Sequence, residues 1–353
     1  MNRIIDSTDL KRFEALLSKS NRIVLTCHVR PDGDAVGSTL GFAHLLKQFG
    51  KNVVVVTPDM PPRSLAFLPG FKDIAVYTCH DPYCERVIEE ADLIICCDFN
   101  KLSRQDQLGP IVGASSAKKV LIDHHQQPDN FADITFSFPE MSSTCELVFR
   151  IIAGLGLYKD MNLDSSTCLL TGIITDTRNF SVNCNNDEIY EILGHLLKKG
   201  CDKSMIVRES LMSKSYGALK LRAYALLHKL EIFEKHRAAI ITINKEELKK
   251  FHYERGDCEG LVNEPLEIRG IVYSIFLRED ADCVKVSARS VNDFPVSTIC
   301  EELFGGGGHI QAAGAEFKGT LKECHDLIVE HLRDYDRFLP SRQDKIDFFE
   351  IDL

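Results

Sequence analysis

Four short apolar runs constrain what this chain can fold into. Ile23 to Thr26, Val53 to Val56, Leu93 to Cys97 and Val120 to Ile122 are rich in β-branched residues and too short for buried helices. Segments of helical character lie between them, such as Ala35 to Phe49, which stops at Gly50, and Tyr83 to Glu90. Strands that alternate with helices predict an α/β fold built on a mostly parallel, doubly wound sheet. In such sheets ligands bind outside the carboxyl ends of the strands. His28 follows the first run, Asp98 the third, and Asp123-His124-His125 the fourth. Three separate segments thus deliver metal-type ligands to the same edge of one sheet.

The stretch His28 to Ala35 reads HVRPDGDA and places His28, Asp32 and Asp34 where a strand should end and a helix begin. With Asp98, His124 and Asp176 it makes a nitrogen and oxygen donor set without thiolate. That set suits a hard or borderline divalent ion, Mn2+ or Mg2+, with Co2+ and Zn2+ compatible. Four carboxylates in one place repel each other and resist ionisation. Two divalent cations sharing one bridging carboxylate resolve the repulsion. The competing explanation is that loop aspartates cap helices, and Asp34 is well placed to do so. Asp123 can hold a histidine ring nitrogen and fix its tautomer. His124 then serves as a ligand, and His125 faces a substrate phosphate.

Elsewhere in the first half, residues 6 to 19 predict an amphipathic helix capped by Asp6, Ser7 or Thr8. Ser64 to Leu68 predicts a short helix, Ile74 to Tyr77 a strand, and Ser142-Ser-Thr-Cys-Glu146 a helix start running towards Ile152. Another helix, Thr167 to Thr175, ends at Asp176. Residues 187 to 199 and 204 to 213 are helical in pattern, and Tyr216 to Glu234 predicts one long helix. Beyond it the texture turns β-rich, with strands expected at Ala238 to Ile243, Ile268 to Leu277 and Cys283 to Ala288. Helices are expected at Lys245 to Phe251, Ser297 to Leu303 and Leu321 to Tyr335. Gly305 to Gly308 precede His309, and a helix starting at Ile310 would let bare backbone amides cradle an anion. Arg289-Ser290, at a strand end, offers a cation for phosphate. The expected division is a catalytic domain at 1–195, a helical linker at 196–235, a substrate-binding domain at 236–340 and an acidic tail at 341–353.

A net charge of -10 argues against a long duplex-binding groove, although it permits a short nucleotide held by local cations. The 13 cysteines show no C-x-x-C pair and no framework spacing, as expected for reduced core thiols. The N-terminus lacks the pattern of a secretory signal, and no run of about 18 apolar residues exists, which predicts a cytoplasmic protein off the membrane.

These motifs, taken in order, resemble the DHH–DHHA1 phosphoesterase superfamily over about residues 10 to 338. HVRPDGDA is similar to the first motif, Asp98 to the second, Asp123-His124-His125 to the third and Asp176 to the fourth. Ser-Ala-Arg289-Ser290, and GGGGH followed by QAAG, resemble the substrate signature of the smaller, mixed α/β DHHA1 domain. The resemblance implies a cleft between the domains and two cations, usually Mn2+, with Mg2+ and Co2+ as alternatives. One cation would be held by His28, Asp32 and Asp98, the other by Asp34, Asp98, His124 and Asp176, with Asp98 bridging. Asp98, Asp123, His124 and His125 would carry the chemistry. His125, Arg289, Ser290, Gly306, Gly307, Gly308 and His309 would contact substrate. Length and layout are most similar to the nano-RNase (oligoribonuclease) and pAp-phosphatase subgroup. The implied substrates are therefore very short RNA, cut to 5′-mononucleotides, and pAp, whose 3′-phosphate would be removed. Cyclic dinucleotides such as c-di-AMP, or linear pApA and pGpG, are the alternative, and a non-catalytic nucleotide-binding module is a remote one. A homodimer stays open. The second motif departs from many relatives, with Phe99 in place of a small hydroxyl residue, and Phe99 is expected to narrow the cleft.

Overall fold

The computed structural model describes residues 5–254 and 256–340. The expected tail at 341–353 lies outside the described residues. The chain divides into two units, with the boundary at Ser213 and Lys214. That boundary falls inside the segment 196–235.

Among its described residues, the first unit is built on six parallel strands: β1 (Arg22–Thr26), β2 (Asn52–Thr57), β3 (Ala75–Val76), β4 (Leu93–Cys97), β5 (Lys118–Asp123) and β6 (Ile134–Ser137). Their order is β3-β2-β1-β4-β5-β6, so the winding reverses between β1 and β4. This is the crevice where doubly wound folds bind ligands. The helices are α1 (Ser7–Lys19), α2 (Gly33–Gln48), α3 (Tyr77–Glu89), α4 (Leu108–Ala114), α5 (Thr144–Gly154), α6 (Leu163–Asp176), α7 (Glu188–Lys198) and α8 (Lys203–Val207). Asp6 is the cap of α1, accepting from the Thr8 amide at 2.7 Å. The two strands of the centre, β1 and β4, are almost wholly buried, as their apolar runs require.

Helix α2 is buried nearly all round and lies very close to α6. Gly37 permits this: a Cβ there would sit 2.6 Å from the Cys168 carbonyl oxygen. Gly172 on α6 is equally confined, since its Cβ would meet Cys145 Sγ at 2.2 Å and Asp34 Oδ1 at 2.8 Å. The close approach brings the start of α2, which carries Asp34, to the end of α6, which carries Asp176.

In the second unit, α9 (Tyr216–His228) is followed by β7 (Leu230–Phe233), β8 (Ala238–Ile243), α10 (Lys245–Lys250), β9 (Tyr273–Glu279) and β10 (Val284–Ser290). Then come α11 (Val296–Phe304), β11 (Gly307–His309), β12 (Ala312–Phe317) and α12 (Leu321–His331). The sheet order is β11-β12-β10-β9-β8-β7, antiparallel except for the β8–β9 pair.

Three expectations are corrected here. The long helix from Tyr216 ends at His228, because Leu230 to Phe233 pairs with Ala238 to Ile241 in a hairpin. Arg237, at φ 50, closes the turn between them. The strand expected from Ile268 begins at Tyr273. No helix starts at Ile310. Instead Gly307 to His309 forms a strand that turns through Ile310 and Gln311 and pairs with Ala312 to Gly314.

All thirteen cysteines are free, and all but Cys79 and Cys283 are buried. Among the described residues no helix is long and apolar enough to cross a membrane.

Candidate active site

At the reversal between β1 and β4 the chain leaves both strands at neighbouring points. His28 stands two residues past β1 and Asp98 directly past β4. Asp98 adopts φ 66, a left-handed backbone uncommon outside glycine and typical of strained functional positions. Its carboxylate faces two ways. Oδ2 lies 3.3 Å from His28 Nε2, while Oδ1 lies 3.6 Å from His124 Nε2 and 3.7 Å from His125 Nδ1.

Two donor groups form around these oxygens. One comprises His28, Asp32 and Asp98; the other comprises Asp34, His124 and Asp176. Asp98, His124 and His125 form a third overlapping cluster. In the first, Asp32 Oδ2 is 3.9 Å from His28 Nε2, while Asp32 Oδ1 caps α2 by accepting from the Asp34 and Ala35 amides. In the second, His124 Nε2 lies 3.4 Å from Asp176 Oδ2 and 3.9 Å from Asp34 Oδ2. Asp34 does cap a helix, but not its own. Its two oxygens accept from the Thr144 amide at 2.6 Å and the Cys145 amide at 2.8 Å, in the first turn of α5.

Both imidazoles are turned for ligation. His28 Nδ1 donates to the Val29 carbonyl at 2.7 Å, and His124 Nδ1 donates to the Met141 carbonyl at 3.2 Å. Each ring therefore presents an unprotonated Nε2 to the carboxylates when neutral, which is the form that binds metal. Asp123 holds His125, not His124: Asp123 Oδ1 accepts from His125 Nδ1 at 2.7 Å.

The electrostatics fit cations. Burial and the neighbouring Asp98 charge push the Asp34 carboxyl up to about 7. Burial disfavours a charged His28, but the bond to Asp98 and the Asp32 charge prevail and raise it to about 9. For Asp98, burial is outweighed by His28 and by the other two imidazoles, and its pKa is lowered. Without metal the centre takes up protons to balance its carboxylates, as a donor set made for divalent ions would. Exposure grades from Asp34 (0%) and Asp98 (2%) to Asp176 (24%) and Asp32 (47%), so the centre opens to solvent on the Asp32 and Asp176 side.

Phe99 does not narrow this opening. It is fully buried and stacks on Phe131 with ring centroids 6.0 Å apart, so its expected role is corrected. The left-handed turn at Asp98 points the next side chain into the core.

The second unit brings its own predicted residues together. On β12, Ala312 pairs with Arg289 of β10 on one side and with His309 of β11 on the other. Arg289 and His309 thus share one cross-strand row and one sheet face. Ser287, Gly307 and Gly314 form the next row on that face, small residues that keep it low. Ser290 is committed to its own loop, its hydroxyl donating to the Phe294 carbonyl at 2.6 Å. The glycines serve a tight hairpin in place of a helix start. Gly308 takes φ 149, and a Cβ there would meet the Ala312 carbonyl oxygen at 2.4 Å. Gly306 is as closely packed against Gly314.

The contacts from Met141, Thr144 and Cys145 to the centre were not anticipated. Their signal in the sequence, SSTCE, marks a helix start but does not show which carboxylates that start will meet.

Comparisons with known proteins agree with these two units. The model for the DHH family, N-terminal domain, matches residues 22–173, and the model for the DHHA1 domain matches residues 237–335. A bifunctional oligoribonuclease and PAP phosphatase NrnA of Thermus thermophilus is 31% identical over 323 residues, covering 91% of this chain and 92% of that protein. The protein of the same name from Bacillus subtilis is 27% identical, covering 89% and 97%. The crystal structure of an exopolyphosphatase-related protein from Bacteroides fragilis is 42% identical with a TM-score of 0.93, covering 96% of this chain and 99% of that one.

Proposed function

Because the chain belongs to the DHH family and carries a DHHA1 domain, we propose that it is a phosphodiesterase with two divalent cations, acting on very short RNA. It releases 5′-mononucleotides and also removes the 3′-phosphate of pAp. Similarity to the two oligoribonuclease and PAP phosphatase proteins supports the substrate class. The observation that carries the chemistry is the Asp98 carboxylate, with one oxygen toward His28 and the other toward His124.

His28, Asp32 and Asp98 hold one cation in this reading, and Asp34, Asp98, His124 and Asp176 hold the other. When bound, the cations supply Lewis acidity, lowering the pKa of water and neutralising charge on phosphoryl oxygens. Mn2+ is the ion we assign, on the nitrogen and oxygen donors and the absence of thiolate from both groups. Asp123 fixes the His125 ring by accepting from Nδ1, and in its imidazolium form the ring would donate Nε2–H to a phosphate oxygen. In the second unit, Arg289 and His309 bind a substrate phosphate from their shared sheet face. The backbone of Gly306, Gly307 and Gly308 shapes the hairpin that carries His309. The buried, unpaired thiols suit a cytoplasmic setting.

The test is hydrolysis of 5′-labelled di- to pentaribonucleotides, pAp and c-di-AMP by protein purified with Mn2+. Release of labelled 5′-mononucleotide that is abolished in Asp98→Ala supports the reading. Turnover of c-di-AMP alone would reassign the substrate, and turnover unaffected by Asp98→Ala would refute the site.

A further inference from the structure

The segment Met141 to Glu146 is accounted for by neither donor group, yet it touches three of their members. The Met141 carbonyl orients His124, and the Thr144 and Cys145 amides hold Asp34. The fourth contact is of a different kind. Thr144 is fully buried, and its hydroxyl donates to Asp98 Oδ1 at 3.0 Å.

That bond falls on the one carboxylate whose orientation decides whether the groups are joined. A carboxylate turns easily about its Cβ–Cγ bond. If Asp98 turned, both oxygens could face a single group, and the other would lose its share. With Oδ1 tied to Thr144, Oδ2 is left for His28.

The donor itself is anchored. Ser143 caps α5 by accepting from the Glu146 amide at 3.0 Å. Glu146, fully buried, accepts from the Ser142 amide and hydroxyl at 2.9 and 2.6 Å, and from Arg150 Nε and Nη2 at 2.9 and 2.6 Å. Arg150 Nη1 in turn donates to Glu188 Oε2 on α7. Moving Thr144 would strip partners from buried charges, which is strongly unfavourable.

We propose that Thr144 is a positioning residue for the bridging carboxylate: its hydroxyl keeps one Asp98 oxygen on each donor group, so that the centre binds two cations. The proposal rests on the two-cation reading above.

The experiment is Mn2+ binding by equilibrium dialysis without substrate, for wild type, Thr144→Val, Thr144→Ala and Thr144→Ser. Wild type binds two ions. Removing the hydroxyl weakens one of the two by roughly 10–100-fold, the usual effect of losing an outer partner of a ligand. Serine restores it. Valine keeps the shape of threonine and alanine adds no bulk, so at least one variant without the hydroxyl is expected to fold, as melting curves will show. The kcat on dinucleotide falls with the lost ion, while KM changes little. Two ions at wild-type affinity in the valine or alanine variant would overturn the proposal alone, as would equal losses in serine and alanine. Fewer than two ions in the wild type would overturn the two-cation reading, and the proposal with it.

Discussion

His28 Nε2 lies 3.3 Å from Asp98 Oδ2, although seventy residues separate them in the chain. The contact follows from topology. β1 and β4 are neighbours at the point where the sheet's winding reverses, and each ends just before one of these residues. The first donor group is therefore a property of the strand order, and the second is assembled around it by α2, α5 and α6.

The two groups should separate under mutation. Asp34→Ala removes a member of the second group only, and His28→Ala a member of the first and of the contact with Asp98. Isothermal titration with Mn2+ should show Asp34→Ala losing one ion and keeping much of the other. Equal loss of both ions would argue against two distinct groups.

Asp123 is bonded to His125 and is predicted to act through it. Its Oδ1 accepts from His125 Nδ1, and its Oδ2 is buried without a hydrogen-bond partner, so its charge is directed at one imidazole. Asp123→Asn should lower kcat roughly 10–100-fold without changing the number of ions bound. In Asp123→Asn/His125→Gln the losses should not add, because both act through one ring.

The metal-free protein should lose stability as pH rises. Asp34, raised from 3.8 to about 7 in the fold, and His28, raised from 6.5 to about 9, both hold protons that the unfolded chain has released. Their contributions are present below the unfolded values and are lost as pH climbs through about 7 and then about 9. Cation binding needs the deprotonated forms, so its stabilisation should grow over the same range. Thermal melts at pH 5.5, 7 and 9, with and without Mn2+, check this; a gap that narrows with pH would contradict it.

Arg289→Ala should raise KM for short RNA by roughly 10–100-fold, the loss of one charge-assisted hydrogen bond. Ion binding should be unchanged, because Arg289 belongs to neither donor group. Steady-state kinetics alongside metal titration separate the two effects.

Gly172→Ala should destabilise the first unit by about 1–3 kcal/mol through overpacking against Cys145 and Asp34. Chemical denaturation measures the loss. An accompanying drop in affinity for one Mn2+ is expected, since Asp34 must shift.

The residues that reveal themselves in sequence are those set by periodicity and strand ends. β1, β2, β4 and β5 are short apolar runs, and the sheet edge they share made His28, Asp98 and the Asp123 to His125 triplet readable as one site. What stayed hidden depends on which distant groups meet. That Asp34 caps α5, that Met141 orients His124 and that Thr144 binds Asp98 follow from the close packing of α2, α5 and α6, which no local pattern encodes. The GGGGH segment misled for a related reason. Glycines serve anion cradles and tight hairpins alike, and only the pairing of Gly308 with Ala313 distinguishes them. Phe99 likewise looked like a cleft residue until the left-handed turn at Asp98 sent it inward.

The most direct measurement is the number of Mn2+ ions bound per chain at saturation, in wild type and in Asp98→Ala. A centre bridged by Asp98 predicts two ions in the wild type and weakened binding of both in the variant. One ion in the wild type, or two ions at unchanged affinity in Asp98→Ala, would contradict it.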